Sequence, residues 1–258
     1  MTVQISFATI YAFLLVLARV MGFIVFVPIP GLRNLPESAR ILLGLILTVA
    51  LFPVWPNLGP NEVSIGQLLR WAFMEAGFGL MAGLALSFLT EGFQLAAQSI
   101  GLQAGYSYAS TIDPSSEADS SVLQVLTTLA VNLLIFSIGL DHRLIRLLAA
   151  SFERFPAGQW SPSLQSMDGI MHLGGGMLST GLRLAFPVVA LLLVIDISLG
   201  LLGRVQQQLQ LLSLAFPAKM AAAALLLAVL SPVIPRLLQS SSTHTLAALE
   251  RVILGGAR

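Results

Sequence analysis

Residues of the types that form catalytic and metal sites are few and scattered in this sequence. His142, His172 and His244 lie in three different segments, and we predict no second metal ligand one helical turn away from any of them. The chain has no cysteine, no phosphate-binding glycine loop and no Gly-x-Ser-x-Gly nucleophile turn. The sequence therefore predicts that the protein is not an enzyme and that it uses no cofactor.

Four charged residues within apolar runs need a different explanation. Arg19, Asp196 and Lys219 lie inside such runs, where one charge costs about 2.5–3.5 kcal/mol to insert into a membrane. Glu75 lies near the start of its run and could extend to the membrane surface. Ion pairs that fix helix register, a role in conduction and contact with a partner all fit this pattern. We predict that these charges serve assembly, and the sequence does not assign an acid to a base.

A polar stripe leads into an acidic segment in the middle of the chain. Glu91, Gln94 and Gln98 are three to four residues apart and would share one face of a helix. That helix runs into Gly105–Ser121, which has six serines and three acids and cannot bury enough apolar surface to fold alone. A water-lined path with a movable segment fits this pattern. A solvated loop after an amphipathic helix fits it equally well.

Composition places these residues in a membrane protein. Only 10% of the 258 residues are charged, against about 25% in an average soluble domain, and the mean hydropathy is +0.88. The net charge of +1 indicates no nucleic-acid partner. We predict an all-α integral membrane protein with about six hydrophobic helices, in bent hairpins broken by proline and glycine. The apolar runs cover residues 7–27, 41–52, 71–89, 122–140, 184–202 and 211–234.

Proline, glycine and serine predict where the helices begin and end. Pro28–Gly31 should end the first helix, and Gly139 should separate the fourth run from an amphipathic helix that stops at Phe155–Gly158. The stretch from there to Gly176 is predicted to be a loop or a short interfacial segment. Ser240–Ser242 are predicted N-caps of a C-terminal amphipathic helix.

Two further patterns concern packing and length. Gly79 and Gly83 have the spacing that lets a second helix backbone approach closely. Pro187 and Pro217 are predicted to lie in the first turns of their helices. The run at 41–52 would be about 18 Å long as a helix, which is about half of a membrane span.

Several motifs, in order along nearly the whole chain, resemble the FliR family of flagellar biosynthetic proteins, which includes the SctT export-gate proteins of virulence secretion systems. The motifs are Leu17–Phe23, Pro28–Pro36, Ile100–Gly105 with Asp113–Pro114, Ser151–Gly158, Leu199–Arg204 and Phe216–Lys219. One stretch departs from the family pattern, because Arg204–Gln210 lacks the proline and the asparagine that relatives usually have there. The departure concerns a local bend and not the family.

The resemblance implies a core subunit of the flagellar type III export gate, in the bacterial inner membrane at the flagellar basal body. It implies assembly with FliP and FliQ homologues, next to FlhB and FlhA homologues and membrane lipid, and passage of unfolded flagellar proteins. It also implies a FliP-like part over about residues 1–176 and a FliQ-like part over about residues 177–258.

The same resemblance implies that the acidic segment plugs the central pore, and the polar stripe before it is predicted from its spacing to face that pore. The predicted plug residues are Gly105, Tyr106, Ser107, Tyr108, Ile112, Asp113, Pro114, Glu117 and Asp119. A secondary transporter for a small solute is the alternative function, because buried charges and interrupted helices are also typical of transporters.

Overall fold

The computed structural model of the chain describes residues 7–32, 35–56, 64–106, 122–205 and 211–254, and every regular element in these ranges is helical. The α-helices are α1 (Phe7–Phe26), α2 (Glu37–Ala50), α3 (Ile65–Ala104), α4 (Val122–Ile138), α5 (Leu140–Arg154), α6 (Leu164–Val205), α7 (Leu211–Leu230) and α8 (Val233–Leu254). A short 3-10 helix, Phe52–Val54, lies between α2 and α3. The predicted all-α class is confirmed.

Three of the described helices, α1, α3 and most of α6, are long and apolar enough to cross a membrane, and up to five spans result if two bent pairs count as one each. α3 has 40 residues and is therefore about 60 Å long, twice the thickness of a hydrocarbon core of ~30 Å. Part of α3 must lie outside the hydrocarbon or against protein. α2, with 14 residues, is too short to span, as its sequence predicts.

The helices break at glycine and proline positions that the sequence predicts. α1 ends at Phe26, just before Pro28, and α5 ends at Arg154, just before Phe155–Gly158. At Gly139 the φ angle is 67°, and α4 bends by 66° into α5. Glycine adopts this left-handed conformation at little cost because it has no Cβ atom. A second bend, of 60°, separates α7 from α8.

The prediction of a loop up to Gly176 is right for residues 159–163 and wrong beyond them, because α6 begins at Leu164 and continues through Gly174–Gly176. Glycine lowers helix propensity by about 1 kcal/mol, and such a cost is outweighed when the flanking residues are helical and packed. Pro187 lies far inside α6, and Pro217 lies in the second turn of α7, so the first-turn prediction is also wrong.

The predicted N-caps at Ser240–Ser242 are wrong as well, since these serines lie in the interior of α8. The Ser240 hydroxyl donates to the Leu237 carbonyl oxygen at 3.0 Å. A serine that bonds back to the preceding turn satisfies its hydroxyl without ending the helix.

The chain divides into two compact units that interleave along the sequence. The first comprises Met1–Phe88, Ile135–Gly174 and Ser242–Arg258, and the second comprises Leu89–Leu134 and Gly175–Ser241. The predicted boundary between residues 176 and 177 falls inside α6. The division into a FliP-like and a FliQ-like part stays a prediction.

In the first unit, α1 packs directly on the N-terminal half of α3. A Cβ atom added at Gly79 would overlap the Arg19 carbonyl oxygen, and one added at Gly83 would lie 2.6 Å from the Phe23 carbonyl oxygen. Only glycine lets two helix backbones come this close. The predicted close approach at Gly79 and Gly83 is therefore confirmed.

In the second unit, the C-terminal half of α3 packs on α6 and α7. A Cβ atom added at Gly181 would lie 2.8 Å from the Gly92 carbonyl oxygen, so α3 and α6 are also in close backbone contact. The core of this unit consists of Ala96, Ile100, Ala104, Ala185, Val188, Leu192 and Ala223. This packing holds the end of α3, where the acidic segment begins.

Candidate functional site

A fully buried ion pair joins α1 and α3 in the first unit. The Arg19 Nε donates to Glu75 Oε2 at 2.5 Å, and both side chains have no exposed surface. The guanidinium also donates to Ser151 Oγ at 3.2 Å and to the Phe155 carbonyl oxygen at 2.9 Å. The other carboxylate oxygen, Glu75 Oε1, accepts from the Gly158 backbone N–H at 2.8 Å. The pair therefore ties α1 and α3 to the end of α5 and the turn after it.

Aromatic rings complete the surroundings of this guanidinium. The Arg19 Cζ atom lies 4.5 Å from the ring centroid of Phe78 and 4.2 Å from that of Phe152. A ring face attracts a cation, and the attraction strengthens where water is excluded. Burial, charge pairing and ring contacts together make this cluster, which we call the Arg19 cluster, a structural tie with no open position for a ligand.

The prediction that Glu75 could extend to the membrane surface is wrong. The apolar run begins at Trp71, but α3 begins at Ile65, so Glu75 lies in the third turn of the helix. From that position a short carboxylate cannot reach the helix end. It faces α1 instead, where Arg19 compensates its charge.

The other two predicted charges pair with each other in the second unit. The Lys219 Nζ lies 2.9 Å from Asp196 Oδ1 and 3.0 Å from Oδ2, which links α7 to α6. Gln103 Nε2, near the end of α3, donates to the same Oδ2 at 3.0 Å. The Asp196 side chain is 38% exposed and that of Lys219 is 13% exposed, so within this chain they are not fully buried.

The start of the predicted plug is fixed to α7. Gly105 has a φ angle of 88°, and a Cβ atom there would lie 2.7 Å from the Phe216 ring. The next residue, Tyr106, packs on the core of the second unit and donates its hydroxyl to the Met220 carbonyl oxygen at 3.0 Å. Both residues thus contact α7, Gly105 at Phe216, one turn before Lys219, and Tyr106 at Met220, directly after it.

The rest of the predicted plug lies outside the described residues. These plug residues are Ser107, Tyr108, Ile112, Asp113, Pro114, Glu117 and Asp119. The described anchor at Gly105 and Tyr106 therefore marks the base of the segment.

The polar stripe lies on α3, as its spacing predicts. Gln94 Nε2 donates to Thr128 Oγ1 of α4 at 2.6 Å, while Gln98 is exposed and Glu91 is half-buried. Part of the stripe is thus used inside the chain, since it holds α4 to α3. Its role toward a pore stays a prediction.

The histidines do not converge on a metal site. His172 Nε2 lies 3.5 Å from Asp168 Oδ2, one helical turn earlier, so the prediction that no histidine has a potential ligand at this spacing is wrong for His172. His142 Nδ1 lies 3.1 Å from Asp141 Oδ2. Within the described residues, no group of three or more potential metal ligands occurs.

Sequence reasoning missed the neutral partners of the charges. Gln103 lies in one of the motifs quoted above, and Ser151 and Gly158 begin and end another. Their partners are 93, 132 and 83 residues away in the chain. Contacts of this separation are fixed by tertiary packing and leave no local pattern in the sequence.

Comparison with known proteins gives a consistent result. The sequence model of the family described as bacterial export proteins, family 1, matches residues 10–245. The chain is 31% identical to the flagellar biosynthetic protein FliR of Bacillus subtilis (strain 168) over 227 residues, covering 86% of this chain and 87% of that protein. For FliR of Escherichia coli (strain K12) the identity is 30% over 220 residues, with 84% and 83% covered. The chain is also 25% identical to the Yop proteins translocation protein T of Yersinia pestis over 219 residues, with 83% and 84% covered.

Proposed function

Because the chain belongs to the bacterial export proteins, family 1, we propose that it is a core subunit of a flagellar type III export gate that lines and plugs the export pore. The family match over residues 10–245 carries this proposal. Its apolar helices make the chain a membrane protein. The inner membrane at the flagellar basal body is the proposed location, since flagellar export proteins must leave the cytoplasm there.

The Gly105–Ser121 segment is the proposed plug. A pore wide enough for an unfolded chain would leak ions, so it needs an obstruction held by contacts that can break. The anchor at Gly105 and Tyr106 supports this role, because a plug needs one end fixed to the pore wall. The acids of the segment disfavour permanent burial in an apolar ring.

The proposed path past the plug is lined by the stripe residues of α3. Gln98 is exposed in the isolated chain and is free to face water in a pore. Gln94 and Glu91 lie one and two turns earlier on the same face. A polar wall of this kind would let an unfolded chain slide without strong apolar contacts.

Partners are proposed from the family and from the surface of the chain. Large apolar side chains are exposed along α4 and α6. Contact with lipid or with a partner protein would shield them from water. We propose FliP and FliQ homologues as the neighbours, beside FlhB and FlhA homologues, with residues 1–176 and 177–258 as the FliP-like and FliQ-like parts. The charges Arg19, Glu75, Asp196 and Lys219 would act in assembly by fixing the helices that present these surfaces.

Purification with and without the partners tests the assembly. The tagged chain is expressed alone and with the FliP and FliQ homologues of the same bacterium, and the mass of each purified complex is measured. A stable hetero-complex with the partners and a poorly recovered chain without them is the expected result. A stable homo-oligomer that binds a small solute and ignores the partners would instead indicate the transporter alternative.

The plug is tested by removing residues 106–119 and joining the ends with a short Gly/Ser linker. The assembled complex should keep its composition and become permeable to small ions and dyes in proteoliposomes. The matched control keeps the full length of the segment and replaces only Ser115 and Ser116 by glycine, and it should stay closed. Unchanged permeability of the deletion variant, with assembly confirmed, would return the segment to the role of a plain surface loop.

The two charge pairs argue against the transporter. A coupling site in a transporter needs a charge that can exchange its partner for an ion. Arg19 and Glu75 bond to each other and have no exposed surface, and Asp196, although 38% exposed, is paired with Lys219 and accepts a hydrogen bond from Gln103. We therefore propose that the chain forms part of a pore for unfolded proteins and catalyses no reaction, and that other parts of the apparatus supply the energy.

A further inference from the structure

A groove with two arginines lies between α5 and α8 in the first unit. Its volume is about 430 Å³, within the range of sites for small organic molecules. From α5 it is lined by Arg143, Arg146, Leu147 and Ala150, which lie on one helical face, and by Ser151. From α8 it is lined by Thr243, Leu246, Ala247 and Glu250, which have the same spacing.

The charged residues of this groove favour the binding of an anion. Arg143 and Arg146 are exposed, and neither makes an ion pair with an acid in the part of the chain that the structure describes. One carboxylate, Glu250, also lines the groove, so its net charge is positive by one unit. A single phosphodiester would neutralise that charge, with its oxygens accepting from the two guanidinium groups.

The apolar lining and the position of α5 indicate a lipid rather than a soluble phosphate. Leu147, Ala150, Leu246 and Ala247 give the groove an apolar wall that a free anion would not use. α5 is amphipathic and begins at the 66° bend after α4, whose Leu129, Leu133 and Phe136 are exposed. An amphipathic helix that turns away from an exposed apolar helix is typical of the membrane interface, where headgroups lie.

We propose that this groove binds the headgroup of an anionic phospholipid with a hydroxylated headgroup, such as phosphatidylglycerol. The phosphodiester lies between Arg143 and Arg146, the headgroup hydroxyls donate to Glu250, and the first carbons of the acyl chains pack on Leu147 and Leu246. Charge balance decides against a zwitterionic headgroup, whose ammonium would restore the net positive charge. The inference does not depend on the proposed pore or plug.

Lipid competition on the purified full-length chain tests the site. The chain in detergent is mixed with equal amounts of phosphatidylglycerol and phosphatidylcholine with identical acyl chains, and the bound lipids are counted by native mass spectrometry. The basic residues should favour phosphatidylglycerol by about fivefold for one arginine and about 30-fold for both. The variant Arg143→Gln/Arg146→Gln should lose this preference.

The matched control is Arg183→Gln/Arg236→Gln, which removes the same charge from exposed positions that do not line the groove. It should keep the preference of the unmodified chain. Equal binding of the two lipids by the unmodified chain, or equal loss in both double variants, would overturn the proposal. So would a preference that is unchanged when Arg143 and Arg146 are replaced.

Two further measurements separate the sources of the phosphate. Glycerol phosphate in hundredfold excess should not displace the lipid, because it lacks the acyl chains, and displacement would make the ligand a soluble phosphate. Glu250→Gln should keep or raise phosphatidylglycerol binding, since it removes a repulsive charge and retains an acceptor. If phosphatidylethanolamine bound more tightly than phosphatidylglycerol and Glu250→Gln abolished that binding, the headgroup would be zwitterionic and the proposal wrong.

Discussion

Removing one partner of the Arg19 cluster should destabilise the chain strongly. In Glu75→Gln the side chain keeps its shape and can still accept from the Gly158 N–H, but the Arg19 guanidinium loses its counter-charge. In Arg19→Met the opposite charge is stranded, because the Glu75 carboxylate remains fully buried. Neither charge can reach water, since both side chains have no exposed surface.

The expected magnitude follows from this burial. A buried pair broken on one side costs about 3–5 kcal/mol, a large part of a total stability of about 5–15 kcal/mol. Removing both charges together leaves no stranded ion, so Arg19→Met/Glu75→Gln should be more stable than either single variant. The stability lost in the double variant should be smaller than the sum of the stabilities lost in the two single variants, which is the signature of direct coupling.

Thermal unfolding in detergent, followed by tryptophan fluorescence, measures these effects. Trp160 lies 5.3 Å from Phe78 between ring centroids, so it reports on the cluster directly. Glu153→Gln and Arg183→Met, at exposed positions, are the matched controls and should change little. If the stability losses of the two single variants simply added in the double variant, the two charges would act independently. That result would refute the prediction that they stabilise the chain as a pair.

Three further outcomes follow from the described contacts. Gly79→Ala should lower the stability because its methyl group would overlap the backbone of α1. Gly175→Ala, in open space on α6, should raise the stability by about 0.5–1 kcal/mol. The unfolding curves of the two variants should therefore shift in opposite directions. Tyr106→Phe keeps the ring but loses the bond to α7, at a cost of about 0.5–1.5 kcal/mol, and should raise ion leakage of the assembled complex without lowering its yield. Asp196→Asn leaves Lys219 without its counter-charge at a partly exposed position. Asp196→Asn should therefore lower the stability less than Glu75→Gln does in the same unfolding measurement.

Local signals in the sequence predicted those features of the fold that local chemistry determines. Proline ends α1 because its ring prevents the helical hydrogen bond, and Gly139 separates α4 from α5 because it adopts a positive φ. The close packing at Gly79 and Gly83 also follows from residue size alone. The amphipathic α5 follows from apolar residues at helical spacing beside charges.

The features that the sequence did not predict depend on distant contacts. The course of α6 through Gly174–Gly176 contradicts local propensity, and Gly174 lies where an added Cβ would contact the Phe88 ring at 3.6 Å. The pairing of Arg19 with Glu75, 56 residues apart, follows from the packing of α1 on α3 and from no local pattern. The site was thus predicted as a set of charges, and the structure supplied the pairs.

α3 leads into the base of the proposed plug and is held by contacts at several points along its length. Along this one helix, Glu75 bonds to α1, Gln94 bonds to α4 and Gln103 bonds to α6. Backbone contacts to α1 and α6 at glycines hold the helix at further points along its length. Tyr106 extends the fixed part by one more bond to α7. A variant that removes this bond, such as Tyr106→Phe, should therefore act on closure of the proposed plug before it affects the fold.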